Sequence, residues 1–213
     1  MTQGAAAASR RPYHSPRRVE QAAQTRAAVL AAAASLFARG GWAATGMRDV
    51  AQEAGVAVET VYSNFRSKAE LLMAAIDVGV VGDAAPVSLA DRPEFAELAT
   101  GPFDQRVASA ARLVTQVHQR TAGLHAALRQ GAASEPELAR RLMEGESRRR
   151  LNIQQGAELI TGRRLSVVDA DALWAVLSVD VFRLLTELSG WSLAQYEQWA
   201  ALEIAQRLAA DAQ

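Results

Sequence analysis

Apolar residues recur along this chain at the spacing of three and four that places side chains on one face of an α-helix. The first such stripe runs from Gln21 to Arg39, and Gly40 and Gly41 end it. No stretch shows the strict alternation of apolar and polar positions that is typical of a half-buried strand. The pattern therefore predicts an all-α protein.

A compact helical unit follows this first stripe. A short helix is expected over Met47–Ala54, because its apolar residues fall on one face, and Gly46 is placed to cap it. Gly55 comes directly afterwards, and a glycine at this point supplies the left-handed backbone geometry that ends a helix. The chain should therefore turn at Gly55-Val56.

A second short helix should cover 58–64, with Val61 and Phe65 directed towards the core. Ser67 and Glu70 then form a capping box, which starts a third helix at Lys68. Two helices joined by a short turn that contains glycine form a helix-turn-helix, whose second helix enters the major groove of DNA. This stretch is therefore interpreted as a DNA-binding unit.

The rest of the chain predicts a connector and five helices. The connector spans Gly82–Pro102 and is rich in Pro, Gly, Ala and Asp. The helices are expected at 103–120, at 121–131, from a capping box at 134–137 to Thr161-Gly162, at 172–188 with apolar residues nearly all round, and at 193–210. The predicted domains are a flexible basic arm at 1–20, a helix-turn-helix domain at 21–82 and a helical domain at 83–213.

The start of the last helix carries its own local signals. Ser192 should cap the helix, and Gln195 lies three residues later, where its side chain can bond back to the cap. Trp191 and Tyr196 stand at the two positions of a hydrophobic staple.

The helix-turn-helix stretch also resembles a known family. The resemblance covers about 24–82 and rests on Arg26–Phe37, Gly41-Trp42, Ala44-Thr45, Arg48-Asp49-Val50-Ala51, Ala54-Gly55-Val56, Thr60-Val61-Tyr62, Asn64-Phe65, Ser67-Lys68 and Leu71-Leu72. In order and spacing these residues are similar to the DNA-binding domain of TetR-type transcriptional regulators. Beyond residue 82, the resemblance lies in the layout of the helices and in the segment near Gly190-Trp191-Ser192.

The resemblance implies a two-fold dimer, joined by a four-helix bundle made from the last two long helices, here about 169–188 and 193–210. Paired recognition helices reach successive major grooves about 34–36 Å apart, which favours a palindromic DNA operator. The resemblance further implies an apolar ligand cavity, whose filling moves the two DNA-reading domains out of register. The expected function is a repressor that a small hydrophobic molecule releases, with no catalytic residues and no cofactor.

Tyr62 and Lys68 are assigned to DNA phosphates, contacts that fix register and carry little sequence information. The alternative for Tyr62 is half-buried packing against the third helix. Thr45 should donate to the DNA backbone, and Arg48 should reach a phosphate or a base edge.

Ala57, Val58 and Thr60 occupy the leading face of the second helix and are assigned to base edges. Many relatives carry Ser or Thr at the position of Ala57, and its methyl group forfeits a side-chain cap worth about 1 kcal/mol. Glu59 is repelled by phosphate unless it accepts from a cytosine amino group. The operator sequence is therefore not predicted.

Formal charge sums to zero over the 213 residues, but its distribution is uneven. Residues 1–82 carry nine Arg and Lys against six Asp and Glu, whereas 83–213 carry fourteen against seventeen. The excess of basic residues lies at the end that should meet a polyanion.

Composition narrows the remaining function classes. The chain has no cysteine, which excludes disulfides, thiolate metal sites and cysteine nucleophiles. No apolar run approaches the ~20 residues of a membrane span, and the amino terminus lacks the apolar centre of a signal peptide. A cytoplasmic protein that does not bind membranes is expected.

The arm at 1–20 has no apolar period, and Pro12 and Pro16 disfavour helix within it. Its basic residues are Arg10, Arg11, Arg17 and Arg18. Such an arm can lie along the minor groove or the phosphates, and the alternative is an ordinary solubilising tail.

Candidates to line a ligand cavity are His118, His125, Met143, Trp174 and Phe182. For each of them, plain core packing is the alternative. The two histidines share a helix face only if no break occurs at Thr121-Ala122-Gly123, and no metal site is predicted.

Asp180 lies within the most apolar helix, and a buried carboxylate is unfavourable without a partner. Arg183, one turn further on, is the expected partner of an ion pair, with a polar anchor for a ligand as the second interpretation of Asp180. The run Arg148-Arg149-Arg150 is interpreted as a solvated helix face.

Two other functions stay open. The carboxy-terminal half could serve dimerisation or protein docking alone, with DNA binding but no ligand. An enzyme is the third possibility, but the chain has no glycine-rich phosphate loop, no nucleophile motif, no metal spacing and no placeable carboxylate pair.

Overall fold

The computed structural model describes residues 16–83 and 87–210, and every regular element within these ranges is helical. The predicted all-α fold is confirmed. The helices are α1 Pro16–Ala44, α2 Met47–Glu53, α3 Val58–Asn64, α4 Lys68–Val81, α5 Pro93–Ala96, α6 Phe103–Ala132, α7 Pro136–Thr161, α8 Val167–Val176, α9 Val179–Arg183 and α10 Leu193–Ala210. Short 3₁₀ turns at Leu89–Asp91 and Glu97–Ala99 flank α5, and a π-turn covers Leu184–Leu188.

The amino-terminal helices, α1 to α4, pack around one apolar core, to which α6 and α7 also contribute buried residues. Val29, Ala33 and Phe37 of α1 are fully buried, because their spacing places them on one face of the helix. Val61 and Phe65 are also fully buried, as the sequence predicts. Arg17–Ala44 is long and apolar enough by composition to cross a membrane, but this face of the helix packs against the protein's own core.

The helix-turn-helix has the predicted boundaries to within one residue. Gly55 adopts φ 66°, and the backbone N–H groups of Gly55 and Val56 donate to the carbonyls of Gln52 and Ala51 at 3.2 and 3.0 Å. This double bond pattern is the one that terminates helices at a left-handed glycine. Asp49 accepts from the Gly46 N–H at 2.9 Å and so closes the start of α2.

The first helix is longer than predicted. It begins at Pro16, so Arg17 and Arg18 lie on a helix and not in an arm, because proline is tolerated in a first turn whose N–H groups lack partners. The expected break is confirmed at Gly41, where φ is 70° and ψ is −171°, although the helix resumes up to Ala44.

The predicted division of residues 103–131 into two helices is wrong. The chain forms one helix of 30 residues, α6. Gly123 is required there for close packing, since a Cβ at this position would lie 2.9 Å from Ala38 Cα of α1. The glycine therefore lets two helices approach each other, and His118 and His125 share one continuous helix.

The single predicted helix at 172–188 is also wrong. The chain breaks at Leu177-Ser178, where the Ser178 hydroxyl accepts from the Val181 N–H at 3.3 Å and starts α9. The α7 helix begins as expected near Pro136 but without the predicted serine cap, because the Ser134 hydroxyl donates to the Gly131 carbonyl.

The last helix starts as predicted at Ser192. The Ser192 N–H donates to the Gln195 side chain at 2.9 Å, and the Gln195 N–H donates back at 3.3 Å. The staple partner differs from the prediction: the Trp191 ring packs edge-on against Trp199 at 6.2 Å, while Tyr196 is buried in the carboxy-terminal core beside Phe182.

Candidate nucleic-acid interface

The α3 helix divides sharply into an inner and an outer face. Val61 has no exposed surface, whereas its neighbour Tyr62 is 53% exposed. Ala57 and Glu59 are exposed, and Val58 and Thr60 are half-buried. The helix starts at Ala57 without a side-chain cap, as expected from its methyl side chain. Ala57, Glu59 and Tyr62, with the half-buried Val58 and Thr60, therefore form a continuous strip on the outer side of α3. This outward strip is available to a partner.

Arg26 of α1 contacts the carboxy-terminal end of α3. The Arg26 guanidinium donates to the Asn64 carbonyl at 3.3 Å and lies 4.3 Å from the centre of the Phe65 ring. A cation near the last carbonyl of a helix is favourable, because the carboxy-terminal end carries partial negative charge. These contacts fix the tilt of the outward strip.

Two of the predicted DNA contacts have free polar groups. Arg48 is exposed on α2, and Tyr62 is exposed near the end of α3. Within residues 16–83 and 87–210, neither side chain forms a hydrogen bond or ion pair. Both groups can therefore reach an external phosphate or base.

The prediction that Thr45 contacts DNA is corrected by the structure. Thr45 is only 2% exposed, and its hydroxyl donates to the Gly41 carbonyl at 2.9 Å. The residue thus closes the irregular joint between α1 and α2. A buried hydroxyl with a good intramolecular acceptor is not available to a ligand.

Lys68 is engaged within the protein. Its ammonium donates to the Trp42 carbonyl at 2.6 Å and lies 4.0 Å from the centre of the Trp42 ring. Burial lowers the pKa of Lys68, and the nearby Glu135 opposes this effect. An ammonium group has three donors, so the bond to Trp42 leaves others for a phosphate, and the phosphate role stays a prediction.

The basic residues at the start of α1 lie near the outward strip. Arg17 and Arg18 are exposed, and Arg18 lines a shallow depression together with Thr60 and Asn64 of α3. Arg10 and Arg11 lie outside the described residues.

Gln130 connects the two domains next to the helix-turn-helix, and no pattern in the sequence indicates this role. Gln130 of α6 accepts with its side-chain oxygen from the N–H groups of Trp42 and Ala43, at 2.6 and 3.3 Å. The partners are separated by 88 and 87 residues along the chain, so no local pattern could reveal them. Arg120, also on α6, donates to the carbonyls of Gly79 and Val80 at the end of α4.

A second candidate site is a partly open cavity of about 680 Å³, lined by α1, α4, α6 and α7 and also by residues of α5, α8, α9 and α10. His118 and His125 line it, as predicted. Met143 is 73% exposed and does not line the cavity, because it lies on the outer face of α7.

Trp174 and Phe182 are also misassigned as cavity residues. The Trp174 indole N–H donates to Glu146 at 3.2 Å, and the ring packs against the Arg149 guanidinium at 5.1 Å. Phe182 is buried edge-on against Tyr196 at 4.8 Å. Neither ring lies on the cavity wall, so both serve packing.

Three predicted charge roles near the cavity change. Asp180 pairs with Arg129 of α6, and its expected partner Arg183 pairs with Glu187 at 2.8 Å. Of the basic run on α7, Arg149 turns inward and donates to the Trp174 carbonyl at 2.7 Å. The packing of distant helices therefore determines ion-pair partners that spacing along the sequence does not predict.

Among the described residues, no group of three or more His, Asp or Glu side chains is arranged to hold a metal ion.

Comparison with known proteins identifies the amino-terminal domain. Residues 29–75 match the sequence model of the bacterial regulatory proteins of the TetR family. No protein of curated function matches the chain.

Solved structures with a similar fold cover nearly the whole chain. A structure named as a TetR-family transcriptional regulator from Mesorhizobium loti is 21% identical, with a TM-score of 0.68 over 89% of this chain and 98% of that one. A second structure so named, from Rhodococcus sp., is 21% identical, with a TM-score of 0.65 over 87% of this chain and 98% of that one. A transcriptional regulator from Rhodococcus sp. Rha1 is 19% identical, with a TM-score of 0.60 over 87% and 96% of the two chains.

Proposed function

We propose a specific role for this chain, which belongs to the TetR family of DNA-binding transcriptional regulators through its amino-terminal domain. The protein is a cytoplasmic, dimeric repressor that binds a palindromic operator and is released when a small molecule fills its central cavity. It needs no cofactor and carries no catalytic site. The observation that carries the proposal is the outward strip of α3, whose opposite face is buried in the core through Val61 and Phe65.

The DNA-binding step follows from this strip. The strip projects beyond the core, and the major groove, about 12 Å wide, admits one α-helix. Thr60 and the methyl groups of Ala57 and Val58 then face base edges, while Tyr62 and Arg48 reach phosphates on either side. The exposed Arg17 and Arg18 add positive charge near the same face.

Dimerisation is supported by apolar surface late in the chain. Leu188 is 79% exposed and Leu202 is 70% exposed, and Leu184 and Leu193 are exposed as well. These residues belong to the π-turn and α10, which lie within the two segments expected to form a four-helix bundle. Apolar surface of this kind is typical of an interface between protein chains.

Ligand release is supported by the position of α4. Its first turn is capped by Ser67, directly after α3, while Met73, Asp77 and Val81 further along it line the cavity. A molecule that separates α4 from α6 and α7 would therefore shift the base of α3. Because the dimer must match two grooves at once, a small shift in each protomer lowers affinity for the operator.

The direct test is operator binding by the full-length protein, with the operator recovered from footprints in its own genome. Tyr62→Phe should weaken binding about five- to tenfold across all sequences, because one phosphate hydrogen bond is lost. Ser63→Ala is the matched control, since the Ser63 hydroxyl donates to the Thr60 carbonyl within the helix. Equal affinities of Tyr62→Phe and the unaltered protein would contradict the placement of α3 on DNA.

A related variant tests Lys68. Lys68→Met should lower affinity for all sequences and reduce the slope of log affinity against log salt by about one unit, if the ammonium meets a phosphate. An unchanged slope with reduced stability would limit Lys68 to its structural contact with Trp42.

A DNA-binding dimer without a ligand is the remaining alternative. A ligand at a hundred times its Kd adds about 2.7 kcal/mol to the unfolding free energy, which a thermal-shift screen detects. Release of operator DNA by a bound compound, without its chemical conversion, would also set the protein apart from an enzyme.

A further inference from the structure

The central cavity offers more than apolar surface. Its walls are mainly aliphatic, with Leu30, Val114 and Ile153 among them, and its volume of about 680 Å³ lies in the range of sites for small organic molecules. Two imidazole rings, those of His118 and His125, also line it. Seven residues separate them on one continuous helix, so they lie two turns apart on one face, about 10 Å along the axis.

The hydrogen bond of His118 determines its tautomer. Its Nδ1 lies 3.1 Å from the hydroxyl oxygen of Tyr196, a residue with no exposed surface. Within the described residues the Tyr196 hydroxyl has no other partner, so it must donate to Nδ1 to avoid an unsatisfied buried O–H. Burial lowers the pKa of His118 to about 3, with Arg149 acting in the same direction. The neutral ring therefore carries its proton on Nε2, as a donor.

The hydrogen bond of His125 determines the opposite tautomer. Its Nδ1 lies 3.1 Å from the Thr121 carbonyl, which can only accept. Nδ1 therefore carries the proton. Burial lowers the pKa of His125, which favours the neutral ring. Its Nε2 is left with a lone pair, as an acceptor.

The charges around the two rings compensate each other. Arg149 pairs with Glu146 at 2.9 Å, and Arg129 pairs with Asp180. On the α4 side, burial raises the pKa of the Asp77 carboxyl, and the charges of Arg148 and Arg141 oppose this effect. An ionic group beside these two rings would thus meet charges that already have opposite neighbours, and it would lose its own hydration.

We propose that the cavity takes an uncharged, largely hydrocarbon molecule with a carbonyl or ether oxygen that accepts from His118 and a hydroxyl that donates to His125. This inference rests on the proposed ligand response. It names the class of molecule to which the cavity is complementary.

The test uses three esters of one chain length, titrated calorimetrically into the full-length protein: methyl ω-hydroxydodecanoate, methyl dodecanoate and methyl ω-aminododecanoate. The hydroxy ester should bind about tenfold more tightly than methyl dodecanoate, the value of one good hydrogen bond in a buried site. The ammonium ester should bind most weakly.

His125→Phe should reverse the order of the first two esters, because an apolar wall favours the apolar chain end. His125→Gln keeps an acceptor oxygen and should keep the original order, which shows that the effect is not one of folding. Met143→Leu, on the outer face of α7, is the control that should change nothing.

An unchanged order in His125→Phe, tightest binding of the ammonium ester, or no binding of any ester would each overturn this inference. Operator binding of the same preparation is measured in parallel. If operator binding persists while the esters fail, the ligand class is wrong and the regulator stands. If operator binding is itself absent, the proposed function fails.

Discussion

Trp42 shows at the scale of one residue how the two domains meet. Its N–H donates to Gln130 of α6, its carbonyl accepts from Lys68 of α4, and its ring stacks on Phe37 of α1 at 6.0 Å. Three helices therefore share one residue, directly before the helix-turn-helix. The contact connects α6 of the helical domain with the residues that directly precede α2.

The Gln130→Leu substitution tests the hydrogen bonds between Gln130 and the backbone of Trp42 and Ala43. It leaves the exposed N–H groups of Trp42 and Ala43 without their acceptor, and we expect the unfolding free energy to fall by about 0.5–1.5 kcal/mol. Operator affinity should fall with it. Gln130→Glu keeps an acceptor oxygen and is the matched control. Equal denaturant midpoints for Leu and Glu variants would refute the assignment.

His118 makes stability depend on pH. Its pKa is about 3 in the native protein and near 6.5 in the unfolded chain, so only the unfolded chain takes up a proton between these values. The contribution of neutral His118 is complete above pH 6.5 and is lost as pH falls towards 3.

The difference in unfolding free energy between the unaltered protein and His118→Phe should therefore decline as pH falls from 6.5 towards 3, by up to about 1.4 kcal/mol per pH unit. Urea unfolding at a series of pH values measures it. A difference that is independent of pH would show that His118 titrates normally in the native state.

At the scale of elements, two glycines within long helices have opposite roles. A Cβ on Gly123 of α6 would lie 2.7 Å from Ala38 Cβ, whereas a Cβ on Gly145 of α7 would meet nothing within 4 Å. Gly123 permits the contact between α6 and α1, whereas Gly145 lies on the cavity wall, has room for a methyl group and weakens its own helix.

Gly123→Ala should therefore lower the unfolding free energy by about 1–3 kcal/mol, because the α1 backbone must move away. Gly145→Ala should raise it by about 0.5–1 kcal/mol, since alanine is the better helix former. Chemical denaturation of both variants gives the comparison. The same sign of effect at both sites would contradict the packing described for α6.

In the whole molecule, the proposed dimer interface contains the exposed leucines of the π-turn and α10. Leu202→Glu places a charge in the proposed interface, and we expect light scattering to show a monomer. Operator affinity should fall more than tenfold, because one protomer reaches only one groove.

Leu151→Glu, on α7 and 61% exposed, is the control and should remain dimeric. A dimer that persists in Leu202→Glu would place the interface elsewhere.

The elements whose causes are local can be predicted from the amino-acid sequence. The boundaries of α2 and α3, the left-handed Gly55, the Ser67 cap of α4 and the Ser192 cap of α10 depend on backbone bonds and side chains within a few residues, so the pattern predicts them. The outward position of Tyr62 follows from helical periodicity in the same way.

The contacts between distant groups cannot be predicted from spacing along the chain. The burial of Thr45, the bond between Lys68 and Trp42, and the pairing of Asp180 with Arg129 depend on which helices pack together. Gly123 looked like a helix break, but it is a point of close approach to Ala38. These contacts join segments far apart in the chain, and the choice among possible partners is made by packing and desolvation of the whole fold, not by spacing along the sequence.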